Sequence, residues 1–147
     1  MVTASVLGAL SLFVLAGCWS GGAWLDGGAR SDGGAGLDGT HWKLTGWTLS
    51  SLNPADFTIT ANFDGGKISG RSGVNSYSGS YTLGSDRAFA VGDVVSTEMG
   101  GPPLAMRAEH AYVTLLQQAR FYETAGNRLT LFDGGGNTSL IFDAASG

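Results

Sequence analysis

One thiol, two imidazoles and 12 carboxylates are the side chains of this 147-residue chain with the chemistry to act as nucleophile, base or ligand. The thiol, Cys18, closes the tetrapeptide Leu15-Ala16-Gly17-Cys18, which follows the apolar run from Ala9 to Leu15. Small residues leading to a Cys after such a run resemble the bacterial lipobox. There the sulfur is diacylglycerylated and the chain is then cut before the Cys. The run falls short of the roughly 20 apolar residues that a membrane span needs. Cys18 is therefore read as a lipidation site, 1–17 as its signal peptide, and a membrane surface as the partner reached through the anchor. Trp19 rather than Asp follows the Cys, which points to the outer membrane, facing the periplasm, in a diderm bacterium. The α-amino group of Met1 is the sole positive charge ahead of the run, where Lys or Arg is usual, so a true start upstream is expected.

The imidazoles, His41 and His110, fall in stretches of different periodicity. Zinc normally needs three or four ligands with His and Cys leading, and Cys18 is committed to lipid. No metal and no cofactor are expected. Gly70-Arg71-Ser72-Gly73-Val74 has the outline of a nucleophile elbow, but its second glycine is misplaced and no helix follows. No Gly-Lys-Ser/Thr step supports a phosphate cradle. Asp26, Asp32 and Asp38 each precede a glycine and suggest calcium, yet their spacing fits neither an EF-hand nor a nonapeptide repeat. The expected protein is non-enzymatic. One polar-aromatic cluster stands out as a candidate binding surface: Arg71, Asn75, Tyr77 and Tyr81. The competing reading is an Asn paired with backbone and Tyr rings filling a core.

Any such cluster must be held by a folded body, and composition allows one. Apolar residues make up 43% of the chain, enough for a core. With 8 Lys+Arg and a net charge of −4, the chain lacks the basic footprint of a nucleic-acid binder. Residues 19–39 hold eight of the 25 Gly and show no period. Residues 18–39 are thus read as the lipidated Cys with a flexible tether, whose reach is roughly 25 Å, and 40–147 as one domain. Within it, Phe57, Ile59, Ala61 and Phe63 alternate on one strand face, and Asp64-Gly65-Gly66 signals a hairpin returning through Lys67-Ile68. Asn75, Tyr77, Gly79, Tyr81 and Leu83 share one face of a second strand. Ala88 to Val91 is a short strand, and 128–132 with 138–142 form a terminal hairpin around Asp133-Gly134-Gly135-Gly136-Asn137. Between Pro103 and Arg120, Leu104, Ala108, Ala111, Tyr112, Leu115, Leu116 and Ala119 recur at helical steps. Arg107, Glu109, His110, Gln117 and Gln118 fall mainly on the opposite, polar face. Seven or eight short strands with one helix before the last three read as a sandwich or barrel.

The order of these pieces resembles the META domain of HslJ-like bacterial lipoproteins. The likeness runs through Trp42-Lys43-Leu44, the stretch from Ile68 to Tyr81, Ser96 to Pro102, the helix with Glu109, and Leu129 to Asp133. The resemblance implies a mostly β (α+β) fold, a compact antiparallel β-barrel-like domain with one inserted α-helix. It also implies a cell-envelope protein acting in stress or maintenance through a protein partner, with no established catalysis. A different binding module, such as an inhibitor of an extracellular hydrolase, is the alternative. Many family members carry Cys where Val74 and Gly101 stand here, a pair that resembles a disulfide, and this chain has neither.

Overall fold

Alternation of apolar and polar side chains sets most of the architecture, because in a strand it puts one face into a core and the other into water. The computed structural model describes residues 36–48 and 50–146. Among them are nine strands, two 3₁₀ turns at Pro54–Asp56 and Ser85–Arg87, and one α-helix. The strands are β1 (Thr40–Trp47), β2 (Thr60–Asp64), β3 (Lys67–Arg71), β4 (Ser76–Leu83), β5 (Phe89–Val91), β6 (Val95–Ser96), β7 (Phe121–Ala125), β8 (Arg128–Phe132) and β9 (Thr138–Ala144). The helix, α1 (Pro103–Gln118), stands before the last three strands, as its periodicity predicts.

All strand pairs are antiparallel, in the order β5-β4-β3-β2-β1-β9-β8-β7, with β6 added to β4. The two ends of this path meet. Ala88 bridges Phe121, and the Phe89 N–H donates to the Arg120 carbonyl at 2.8 Å. The sheet is therefore a nearly closed antiparallel barrel, which leaves few unpaired strand edges. The β2–β3 turn follows from its residues: Gly65 and Gly66 take φ values of 56° and 81°, which side-chain-bearing residues adopt reluctantly.

Inward-facing residues from the strands fill the barrel, among them Leu44, Phe63, Ile68, Leu129, Leu131 and Phe142, each fully buried. Rings organise this core: Phe63 packs edge-on to Tyr81 at 4.9 Å, and Tyr112 of α1 sits between Tyr77 and Phe142 at 5.5 and 6.3 Å. Ala108, Tyr112, Leu115 and Leu116 are the buried stripe of α1. Leu104, which shares their spacing, is 53% exposed in the first turn of the helix.

Three features differ from the sequence expectation. There are nine strands rather than seven or eight; β6 is two residues long, too short for an alternation to register. The packed body also takes in residues before Thr40. Leu37 is fully buried, and the Asp38 carboxylate accepts from the Gly65 N–H at 2.6 Å. The compact unit Gly33–Gly147 thus carries the whole core found among the described residues, Leu37 to Phe142. Finally, Glu109 is not on the outer face of α1.

Candidate functional site

Of the four residues expected to form a binding surface, the structure exposes Arg71 alone. Asn75, Tyr77 and Tyr81 retain 2%, 3% and 8% of their exposure. The alternation that placed them on one face of β4 is present, but that face is the barrel interior. Arg71 lies at the end of β3, its guanidinium donating to the Val74 carbonyl at 3.3 Å. Cys18, the expected signal peptide over 1–17, and Asp26, Arg30 and Asp32 lie outside the described residues.

What the buried polar residues build is a closed network centred on Glu109. Its carboxylate accepts from the Ser72 hydroxyl at 2.9 Å, the Asn75 backbone N–H at 2.9 Å and the Asn75 side-chain amide at 2.8 Å. The other side of Asn75 is equally engaged. Its carbonyl oxygen accepts from the Thr97 hydroxyl at 2.9 Å and the Met99 N–H at 2.7 Å, and its amide also reaches the Met99 carbonyl at 3.2 Å. One Asn thus ties three separate segments: the turn after β3, the stretch between β6 and α1, and α1 itself. Burial alone would raise the Glu109 carboxyl, but the donors from Asn75 and Ser72 outweigh it and hold the group below its ordinary value.

Sequence reasoning put Glu109 on the polar face of the helix with Arg107, His110, Gln117 and Gln118. The signal that could have found it is its spacing three residues before Tyr112 and seven before Leu116, which places it on the flank of the buried stripe. A carboxylate there needs donors, and Ser72 and Asn75 supply them.

A second polar pair sits deeper. Tyr77 donates to the Thr60 carbonyl at 2.8 Å, and its phenol oxygen is 2.6 Å from that of Tyr112. With Tyr77 committed as donor to Thr60, Tyr112 donates to Tyr77. Burial pushes both phenols well up, so both stay protonated in this core. The chain of donors predicts unequal mutants. Tyr112→Phe removes only the last donor and should cost about 1 kcal/mol, whereas Tyr77→Phe leaves two partners unsatisfied and should cost about 2 kcal/mol. Urea denaturation of the two variants checks the order; equal costs would break it.

The remaining chemically active side chains do not converge. His41 on β1 has its Nδ1 2.9 Å from the Asn62 side-chain oxygen, while His110 is exposed on α1. Asp133 fills its carboxylate from its own loop, accepting from the Gly135 and Asn137 N–H groups at 2.8 and 2.9 Å. Among the described residues no group of three or more His, Cys, Asp or Glu could hold a metal ion, and no helix is long and apolar enough to cross a membrane. Ser72, the would-be elbow nucleophile, is fully buried.

The family model for the META domain matches residues 35–146. Its start before Thr40 agrees with the burial of Leu37. No curated protein matches in sequence. A protein from Burkholderia xenovorans, solved by NMR, superposes with a TM-score of 0.63 at 28% identity, over 76% of this chain and 85% of that one. A DUF4847 family protein from Bacteroides vulgatus, solved by crystallography, shares the fold with a TM-score of 0.55 at 15% identity, over 74% of this chain and 94% of the other.

Proposed function

Because the chain belongs to the META domain family, we propose that it is a lipid-anchored cell-envelope protein whose domain acts without catalysis, through a bound partner, in stress tolerance or envelope maintenance. The observation that carries the non-catalytic part is the fate of its reactive residues. Ser72 and Asn75 are buried and both are bonded to the half-buried Glu109, so the serine paired with that carboxylate offers no open face to a substrate. The same network makes a rigid body, which suits a scaffold that presents loops. Support for the anchor comes from Leu15-Ala16-Gly17-Cys18 at the end of a short apolar run. Two or more acyl chains, at about 0.8 kcal/mol per buried CH₂, give stable attachment. An outer-membrane position follows from Trp19 in a diderm host.

Cys18→Ser tests the anchor. Metabolic labelling with a radioactive fatty acid should mark the native chain and not the variant, which should accumulate as an uncut precursor. Labelling unchanged by the substitution would falsify the lipoprotein reading. Cross-linking in intact cells, followed by purification of the native chain, tests partner binding. A captured hydrolase whose activity falls on adding the purified chain would turn the reading to an inhibitor.

A further inference from the structure

The outer face of α1 carries a second, unassigned feature. Arg107, His110, Ala111 and Thr114 follow one another at helical steps and so form one stripe along the helix. That stripe is one wall of a cavity of about 440 Å³ whose opposite wall is the segment after β1, with Ser50 and Leu52. The volume is in the range of small-molecule sites, roughly 300–1,000 Å³. The opposite wall is fixed in place. The Trp47 indole N–H donates to the Leu52 carbonyl at 2.7 Å, and the Leu52 N–H donates to the Ser50 hydroxyl oxygen at 3.1 Å. Immediately after it, Asn53 caps the 3₁₀ turn through the Ala55 N–H, and Pro54 is buried. The groove is therefore shaped before any ligand arrives, which lowers the ordering cost of binding.

Its chemistry is one-sided. No carboxylate lines it. Among the described residues the two ion pairs are Arg87–Glu123 and Arg128–Asp143, and neither the Arg107 guanidinium nor the His110 ring has a hydrogen-bond or ion-pair partner. An unpaired guanidinium offers a planar fork of N–H donors matched to an oxyanion. Beside it the Thr114 hydroxyl is unengaged, and the Ser50 hydroxyl accepts from Leu52 while keeping its own proton to donate. Leu52, Met106 and Ala111 make the rest of the wall apolar, and Met106 keeps 38% of its exposure. A bare anion would leave that wall wet; a neutral hydrocarbon would leave the cation unanswered.

We propose that this groove binds a monomeric, single-chain anionic amphiphile, with its carboxylate or phosphate on Arg107 and its hydrocarbon chain along Leu52, Met106 and Ala111. This does not depend on the lipid anchor or on the identity of a protein partner. The test is an NMR amide titration of the Gly33–Gly147 unit with decanoate below its micelle concentration. Decanol, inorganic phosphate and phosphatidylglycerol vesicles are run beside it. Decanoate should shift the amides of residues 50–52 and 106–114, and decanol and phosphate should each bind about tenfold more weakly. Arg107→Gln, a surface change, should weaken decanoate about tenfold and leave decanol unchanged. Ala111→Phe, which fills the groove, should weaken decanoate and decanol alike. The proposal is overturned if decanoate leaves these amides unmoved, or if phosphate or decanol binds as tightly as decanoate. It is also overturned if Arg107→Gln has no effect, or if only the vesicles produce a response.

Discussion

Replacing Glu109 with alanine is expected to lower the unfolding free energy by about 3 kcal/mol and the melting temperature by about 10 °C. The reason is the asymmetry of buried hydrogen bonds: the three donors facing the carboxylate lose an acceptor but stay out of water. Ser72 and Asn75 keep 0% and 2% of their exposure, so solvent cannot replace the missing oxygens without opening the turn. Glu109→Gln should cost roughly half as much, because one amide oxygen still accepts while its NH₂ confronts donors. The pH dependence follows from the direction of the shift. The carboxyl is held below its ordinary value in the folded state, so its contribution is complete above the ordinary carboxylate value of 4.5 and fades as pH falls through the folded value. The native chain and Glu109→Gln should therefore converge in stability in acid. A cost below about 0.5 kcal/mol for Glu109→Ala at neutral pH, the size of an ordinary surface change, would mean that the network does not hold α1 to the barrel.

The double substitution Val74→Cys with Gly101→Cys should move stability as far in the opposite direction. A Cβ placed on Gly101 would stand 3.4 Å from the Val74 Cβ, at the short edge of the roughly 3.5–4.5 Å found across disulfides. Gly101 is not among the glycines with positive φ, so a side chain there meets no backbone strain. Closing a loop of about 27 residues should add about 3.5 kcal/mol in the oxidised protein. Each single change should fail to do so. Gly101→Ala alone puts its Cβ 2.7 Å from a Val74 methyl and forces a shift. Val74→Cys alone only trims the side chain that fills this space. Thermal melts of the Gly33–Gly147 unit with and without reductant, with thiol counting, separate the cases. A gain that survives full reduction, or thiols that stay free in air, would refute the pairing. Val74 and Gly101 are thus complementary in volume, one filling the space that the other leaves.

The elements most legible in the sequence were those whose pattern repeats. The glycine turn at Gly65-Gly66, the Tyr77/Tyr81 face and the helix from Pro103 each stand where their signal predicts. The strand expected from Phe57 begins only at Thr60, because Phe57 caps the 3₁₀ turn at Pro54–Asp56 and Ile59 makes an isolated bridge to Ser72. β6 was not legible because Val95 and Ser96 have no neighbours to alternate with. Leu37 was hidden by the glycines around it; its burial depends on the β2–β3 turn, to which Asp38 bonds. The site was harder, for a related reason. Periodicity tells which residues share a face, and it did so for Asn75, Tyr77 and Tyr81, but a strand in a barrel has no label for inside and outside when its inner residues are polar. The inner role of Glu109 required knowing that α1 crosses the turn after β3, a contact 34 residues away in the chain. The groove beneath Arg107 likewise depends on a loop some fifty residues upstream, whose approach no local pattern announces.

The pairing of β1 with β9 has a consequence for the order in which the molecule can assemble. Trp42 lies opposite Ala144, and the Ala145 N–H donates to the His41 carbonyl at 2.9 Å. The first strand made is thus completed by the last. The β2–β3–β4 meander joins near neighbours and can form as soon as it emerges, whereas β1 keeps an open edge until the final hairpin arrives. Long-range pairing of this kind slows folding and prolongs exposure of an unpaired strand. The last strand, β9, therefore works as a latch: a chain shortened by those few residues would lose the partner of its opening strand as well as its own end.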